Sequence, residues 1–228
     1  MKKSKAPVIV LTLILALLAT SVSGFSELPV QIEASNDFTD YELQKFQEHT
    51  ENRLPDYVEH FKKYSELYQV PWALLAAVAY QESKWNHKAV SYTGVKGIMQ
   101  ITAQTAEHIG LEDPENPIEN IKGGAYYLRY LYDKTSPQVS TQQRWIHALA
   151  AYNLGWGHFR DAYRLAKKLN KNPYDWKELK TILPKLNKPD YLVHLRYGPA
   201  RGGEAVHFVN NVFSYYMLIN KTDNSFVN

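Results

Sequence analysis

The sequence predicts an all-α protein, with at most a small hairpin in one loop. Three observations predict it: apolar residues recur at helical spacing from Asp56 to Ile219, strand-like alternation is nearly absent, and the joints between helical stretches are short and polar. At 228 residues and 45% hydrophobic, the chain has enough apolar material for one folded domain with extensions. It contains no cysteine, which excludes disulfide frameworks, thiolate zinc sites, cysteine nucleophiles and lipid attachment through an N-terminal cysteine.

Lys2, Lys3 and Lys5 precede an apolar run from Val8 to Ala19, which leads into Thr20, Ser21, Val22, Ser23 and Gly24. This is the order of a secretory signal peptide over residues 1–24, with small residues where a peptidase cuts. An uncleaved membrane anchor is the alternative, its short length accommodated by tilt or bilayer thinning. Either way the chain is expected to be exported to the periplasm or cell envelope, with any membrane association made through its N-terminus. No later segment is a continuous apolar run long enough to cross a bilayer.

Residues 25–55 read as an acidic leader with one helix around Tyr41 to Glu51, and residues 221–228 as a tail. Between them, 56–220 form the predicted domain. Asp56 to Gln69 is its first helix, with Val58, Phe61 and Tyr68 inward. Pro71 opens a second, Trp72 to about Trp85, because its missing N–H has no helical partner to lose there. Thr102 caps a short helix to His108, and Gly110 stops it. Further helices cover Ile118 to Asp133, Thr141 to Asn153, Gly157 to Leu169, Asp175 to Leu183 and Gly203 to Ile219. Asp175 and Glu178 stand at capping-box spacing, and Pro184 ends that helix. The segment between Asn86 and Gln100 is the one irregular loop.

Without residues 1–24 the chain balances at 23 basic and 23 acidic residues. Residues 25–60 are acidic by seven charges and everything from 61 onward is basic by seven. A moderately cationic body outside the cytoplasm suits a polyanionic envelope polymer. The lysines are scattered and no nucleic-acid-binding motif is present, so nucleic acid is not an expected partner.

The helix Trp72-Ala-Leu-Leu-Ala-Ala-Val-Ala-Tyr80 is apolar on nearly every side and should be central. Its first acid, Glu82, stands seven residues after Leu75, four after Val78 and three after Ala79, on their face. A carboxyl there is partly desolvated, stays protonated near neutral pH and can act as a general acid. The alternative is a solvated Glu82 paired with Lys84, Lys88 or Lys96. Between Glu66 and Glu107 there is no other acid, whereas ordinary glycosidases flank the scissile bond with two. Gly94 and Gly97, in the following loop, let the backbone approach a ligand.

Glu82-Ser83, Gly97-Ile-Met-Gln100, Asp113-Pro114 through Asn116, Asn120-Ile121, Gly124 to Tyr127-Leu128 and Ala151-Tyr152-Asn153 with Gly155 stand in one order and spacing. In these the chain resembles the soluble lytic transglycosylase domain family, whose fold is helical and goose-lysozyme-like. Leu183-Pro184 to Tyr191 and Tyr197-Gly198-Pro-Ala-Arg201-Gly-Gly-Glu204-Ala are similar to the C-terminal part of the catalytic domain in the membrane-bound lytic murein transglycosylase F group. Two departures stand out. That group carries a solute-binding-like domain ahead of the catalytic one, where this chain has the acidic leader of residues 25–55. The family's last helix often has a tyrosine-valine pair, where this chain reads Phe208-Val209.

The resemblance implies cleavage of the β-1,4 bond between N-acetylmuramic acid and N-acetylglucosamine in peptidoglycan glycan strands, leaving a 1,6-anhydromuramoyl end. It implies Glu82 as acid and then base, Tyr152 as its hydrogen-bond partner, and Asn153 as a contact to the substrate. Ser91, Met99, Gln100, Tyr127 and Tyr191 are expected to help line the sugar cleft. A muramidase of the same fold and a non-catalytic wall-binding protein are the alternatives. No cofactor is expected. No metal is expected either: Glu112-Asp113-Pro-Glu115-Asn116 lacks calcium-loop spacing and fits a helix cap, and the eight histidines show no ligand motif.

Overall fold

The structure is a computed structural model that describes residues 38–225. The signal or anchor segment, most of the leader and the end of the tail lie outside the described residues. Within them the fold is all-α: α1 (Asp40–Asn52), α2 (Val58–Tyr68), α3 (Trp72–Ser83), α4 (Ala103–Ile109), α5 (Pro117–Lys134), α6 (Thr141–Leu154), α7 (Trp156–Lys168), α8 (Trp176–Ile182), α9 (Pro189–Leu192) and α10 (Gly202–Ser225). The only extended pairing among them is an antiparallel bridge between Val90 and Lys96, the hairpin allowed for in the irregular loop.

α3 is the centre. Ala73 to Tyr80 are buried without interruption, and α2, α5 and α10 pack around the helix. Four of its residues are alanines, which carry no rotamer entropy to lose and let neighbouring helices come close. The helix is shorter than its apolar pattern suggested. Pro71 sits one place earlier, at the N-cap, and the C-terminus falls at Ser83 because Lys84 and Trp85 both turn left-handed, at φ 56° and 55°. The turn tucks Trp85 under the helix it follows, where its indole N–H donates to Ala76 O at 2.8 Å.

The leader helix is also core. Thr39 and Glu42 form a reciprocal capping box at the start of α1, and Phe46 is buried against Tyr80 and Trp85. Phe38 and Phe46 both stack on Tyr215 of α10. The packed body therefore begins well before residue 56. α2 starts two residues later than its pattern, since Leu54–Asp56 form a 3₁₀ turn around Pro55. Its buried face is Phe61 and Tyr64, with Val58 and Tyr68 only half-buried.

Most caps follow the sequence. Thr102 accepts from Thr105 N–H at the start of α4, and Gly110 ends that helix at φ 67°. Asp113 accepts from the amides of Glu115 and Asn116, and Asn116 accepts from those of Ile118 and Glu119, so the acidic run does act as a helix cap. At α8 the expected capping box is half made. Asp175 accepts from Lys177 N–H, but the Glu178 carboxylate reaches Asn172 N–H instead of the cap amide. The chain then passes Pro184 in a 3₁₀ helix, Leu183–Asn187, rather than stopping there.

Gly202 fixes where α10 begins. A Cβ on Gly202 would stand 2.0 Å from the carbonyl oxygen of Leu183, a backbone atom that cannot swing aside. Gly202→Ala should therefore cost at least about 2 kcal/mol, outweighing the alanine's helix propensity. A urea melt should show a lower midpoint with an unchanged slope.

Candidate active site

The site is built on a loop held from three sides. Residues Gly97 to Gln100 pass between the C-terminal end of α3, the middle of α5 and the end of α6. Ser83 donates its hydroxyl to Ile98 O at 2.7 Å, with Ala79 O within reach at 3.0 Å. Asn120 of α5 is fully buried and uses both ends of its amide: Oδ1 accepts from Met99 N–H at 2.7 Å and Nδ2 donates to Pro114 O at 2.7 Å. Tyr152 of α6 donates its hydroxyl to Met99 O at 2.8 Å. Buried polar groups are tolerated when each finds such a partner.

Two glycines allow the close approach. Gly97 has φ 104°, and a side chain there would meet Asn120 Nδ2 at 2.6 Å. Gly124 takes the Met99 thioether against its bare Cα, where a Cβ would lie 2.4 Å from the sulfur. Helix–loop packing thus offsets the cost of glycine within α5. Gln100 is also left-handed, at φ 49°, and its amide donates to Gly97 O at 2.7 Å, closing the loop on itself.

Glu82 lies next to Ser83 at the end of α3 and is half-buried. Burial pushes its pKa from the ordinary carboxylate range up to about 8, against a weaker pull downward from Lys84. No side chain among the described residues donates a hydrogen bond to it, so little favours its charged form. Lys84 is itself desolvated, with its ammonium over the rings of Tyr80 and Tyr215 at 4.6 and 4.8 Å and its pKa brought down to about 8. The alternative, an ion pair of Glu82 with Lys84, Lys88 or Lys96, does not form among the described residues: Lys96 bonds Glu115 at 2.8 Å.

A groove of about 770 Å³ opens beside this loop, along α4, α5 and the α6–α7 joint. Tyr127, Tyr152 and Asn153 line it, together with Thr105, Glu107, Trp156, His158 and Tyr197. Glu82 is not among its lining residues. The link is Tyr152, whose phenol is held well above its ordinary pKa first by burial and then by the Glu82 charge. Tyr127 and Phe208 both pack against the Tyr152 ring.

Not every expected cleft residue faces the groove. The Met99 side chain is completely buried, and only its backbone serves the site. Ser91 spends its hydroxyl inside the hairpin, next to Thr93 Oγ1 and accepting from Val95 N–H. Gln100 braces the loop rather than lining the groove. Tyr191 lies on α9 with Lys185 over its ring, and Tyr197 is the C-terminal aromatic that lines the groove instead. The proposed Tyr152–Glu82 hydrogen bond is replaced by the one to Met99 O. Sequence reasoning missed Tyr197, Trp156, His158 and Glu107; Tyr197 opens a motif already noted, whereas the other three carry no local signal.

The Transglycosylase SLT domain profile matches residues 59–174, a span that holds Glu82, the 97–100 loop, Asn120 and Tyr152. The chain belongs to the SLT transglycosylase domain family. Among curated proteins, this SLT chain is 44% identical over 188 residues to membrane-bound lytic murein transglycosylase F of Aeromonas salmonicida, covering 82% of the chain and 37% of the relative. It is 45% identical over 174 residues to the protein of the same name from Pseudomonas fluorescens, and 44% to that of Shewanella sediminis, in each case covering 76% of the chain and 36% of the relative. The chain thus spans little more than a third of the length of these relatives.

The raised Glu82 pKa is also a statement about stability. A carboxyl that titrates near 8 folded and near 4.5 unfolded binds more protons when folded, so stability falls as pH rises through that window. Glu82→Gln should therefore raise the melting temperature at pH 7 to 8, corresponding to roughly 3 to 4 kcal/mol, and leave it unchanged below pH 4. Thermal melts across that range check the sign.

Proposed function

We propose that this SLT domain is a peptidoglycan lytic transglycosylase, cleaving the β-1,4 bond between N-acetylmuramic acid and N-acetylglucosamine and leaving a 1,6-anhydromuramoyl end. The observation that carries the reading is a carboxyl kept protonated near neutral pH by burial, beside a braced loop and within electrostatic reach of a tyrosine that lines a groove. The family match and the names of the relatives support it.

In this mechanism Glu82 gives its proton to the bridging oxygen as the bond to C1 breaks. The resulting Glu82 carboxylate takes the proton of the muramoyl 6-hydroxyl, whose oxygen bonds to C1, so no water is consumed. Positive charge at C1 is stabilised by the substrate's own N-acetyl group, as in substrate-assisted glycosidases. The bond from Tyr152 to Met99 O keeps the loop rigid beside the acid, and Asn153, exposed in the groove, meets the substrate. The aromatic rings of Tyr127 and Tyr152 suit the apolar faces of sugar rings.

Glu107 gives the hydrolytic alternative its one specific support, because it places a second, exposed carboxylate on the groove wall. The two chemistries differ in their ends. We further propose an envelope location, with the N-terminal segment as signal or anchor. The excess of basic residues beyond 61 suits an anionic wall polymer.

Digestion of purified sacculi followed by mass spectrometry should release anhydro-ended muropeptides. Reducing ends would assign hydrolysis, and intact polymer would leave a binding protein. Glu82→Gln should lower turnover at least a hundredfold while glycan binding persists, since it keeps the shape and removes the acid. Because the acid must start protonated, wild-type turnover should fall about tenfold per pH unit above about 8.

A further inference from the structure

Asp161, in the middle of α7, is completely buried and has no part in the chemistry proposed for Glu82. Its carboxylate accepts two backbone amides from a distant loop: Arg196 N–H on Oδ1 at 2.9 Å and Tyr197 N–H on Oδ2 at 2.8 Å. Arg164, one turn further along α7, closes an ion pair on Oδ1. Burial alone would raise the pKa of this group, but the two amides and the guanidinium outweigh it and hold it below its ordinary value. A buried charge satisfied in this way fixes the loop in register, because neither amide has another acceptor in place.

The loop presents one residue to the groove. Tyr197 is 45% exposed, yet its ring is pinned on the Cα of Gly157, where a Cβ would lie 3.0 Å from its Cδ1. The Arg164 and Arg196 guanidiniums sit 5.8 and 5.9 Å from the ring centre. His158 meets the ring edge-on and lines the same groove. Its Nδ1 is buried with no hydrogen-bond partner among the described residues. A rigid, exposed aromatic face suits the flat apolar side of a sugar ring.

We propose that Asp161 is a positioning residue that presents Tyr197 as a platform for a sugar ring bound past the α6–α7 joint. This rests on the glycan-cleaving reading above and adds to it a dependence on chain length. Long strands reach from Glu82 across Tyr152 to Tyr197, and short oligosaccharides do not.

The test uses peptide-free glycan strands and a tetrasaccharide of the same repeat, with binding read by intrinsic tryptophan fluorescence and cleavage read separately. Asp161→Asn keeps the shape but turns an NH₂ toward one of the two amides. Asp161→Asn and Tyr197→Ala should each weaken binding of long strands, and raise KM for them, by about three- to tenfold, with far smaller changes in kcat. Their double variant should be no worse than either alone, Tyr197→Phe should bind as the wild type does, and the tetrasaccharide should bind all variants equally. Unchanged long-strand affinity in Tyr197→Ala, or an Asp161→Asn that loses only thermal stability, overturns the proposal. The binding arm requires no turnover, so the same affinity pattern in a protein that releases no anhydro ends would sink the catalytic reading and leave this one standing.

Discussion

The structure depends on a set of hydrogen bonds that hold four residues of loop against three helices. Ser83, Asn120 and Tyr152 come from α3, α5 and α6, and each spends a buried polar group on the backbone of Ile98 or Met99. None of the three can be lost cheaply, because each would leave a buried donor or acceptor without a partner. What they secure is the relation between the end of α3, where Glu82 sits, and the start of the groove.

The same arrangement explains why the carboxyl is poised. Glu82 follows the buried run Ala73 to Tyr80, and the hydroxyls of its neighbours Ser83 and Tyr152 are taken up by the loop carbonyls of Ile98 and Met99. Lys84, the nearest cation, is drawn off between the rings of Tyr80 and Tyr215. The local chain pays for this geometry in backbone conformation, with Lys84, Trp85 and Gln100 all left-handed, each at a cost of roughly 1 to 3 kcal/mol.

Much of this was legible in the sequence. The central place of α3 follows from its lack of any polar face, and the caps at Thr102, Asn116 and Gly110 follow from residue chemistry alone. Glu82 was visible as the first acid on an apolar face. Other features were not, for physical reasons. Whether Met99 or Gln100 faces a ligand depends on which side of a loop the backbone turns, and no periodicity encodes that. The partner of the Tyr152 hydroxyl is a backbone carbonyl, which every residue possesses and which no motif can mark. The clamp of Asp161 on residues 196 and 197 joins positions 35 and 36 apart, and an aspartate within an amphipathic helix reads as solvated until the fold buries it. Thr39 and Glu42, by contrast, carry capping-box spacing legible in the sequence, at the start of the one helix expected in the leader.

The alanines of α3 have one more implication. A side chain that ends at Cβ cannot hop between rotamers, so the scaffold under Glu82 has few soft degrees of freedom and the acid's placement follows the backbone almost directly. It also makes sequence change there one-sided: nothing can be trimmed from these positions except to glycine, and anything added pushes α2, α5 or α10 outward. Variation at this helix should therefore be confined to its ends, leaving adaptation to new glycans to the groove walls.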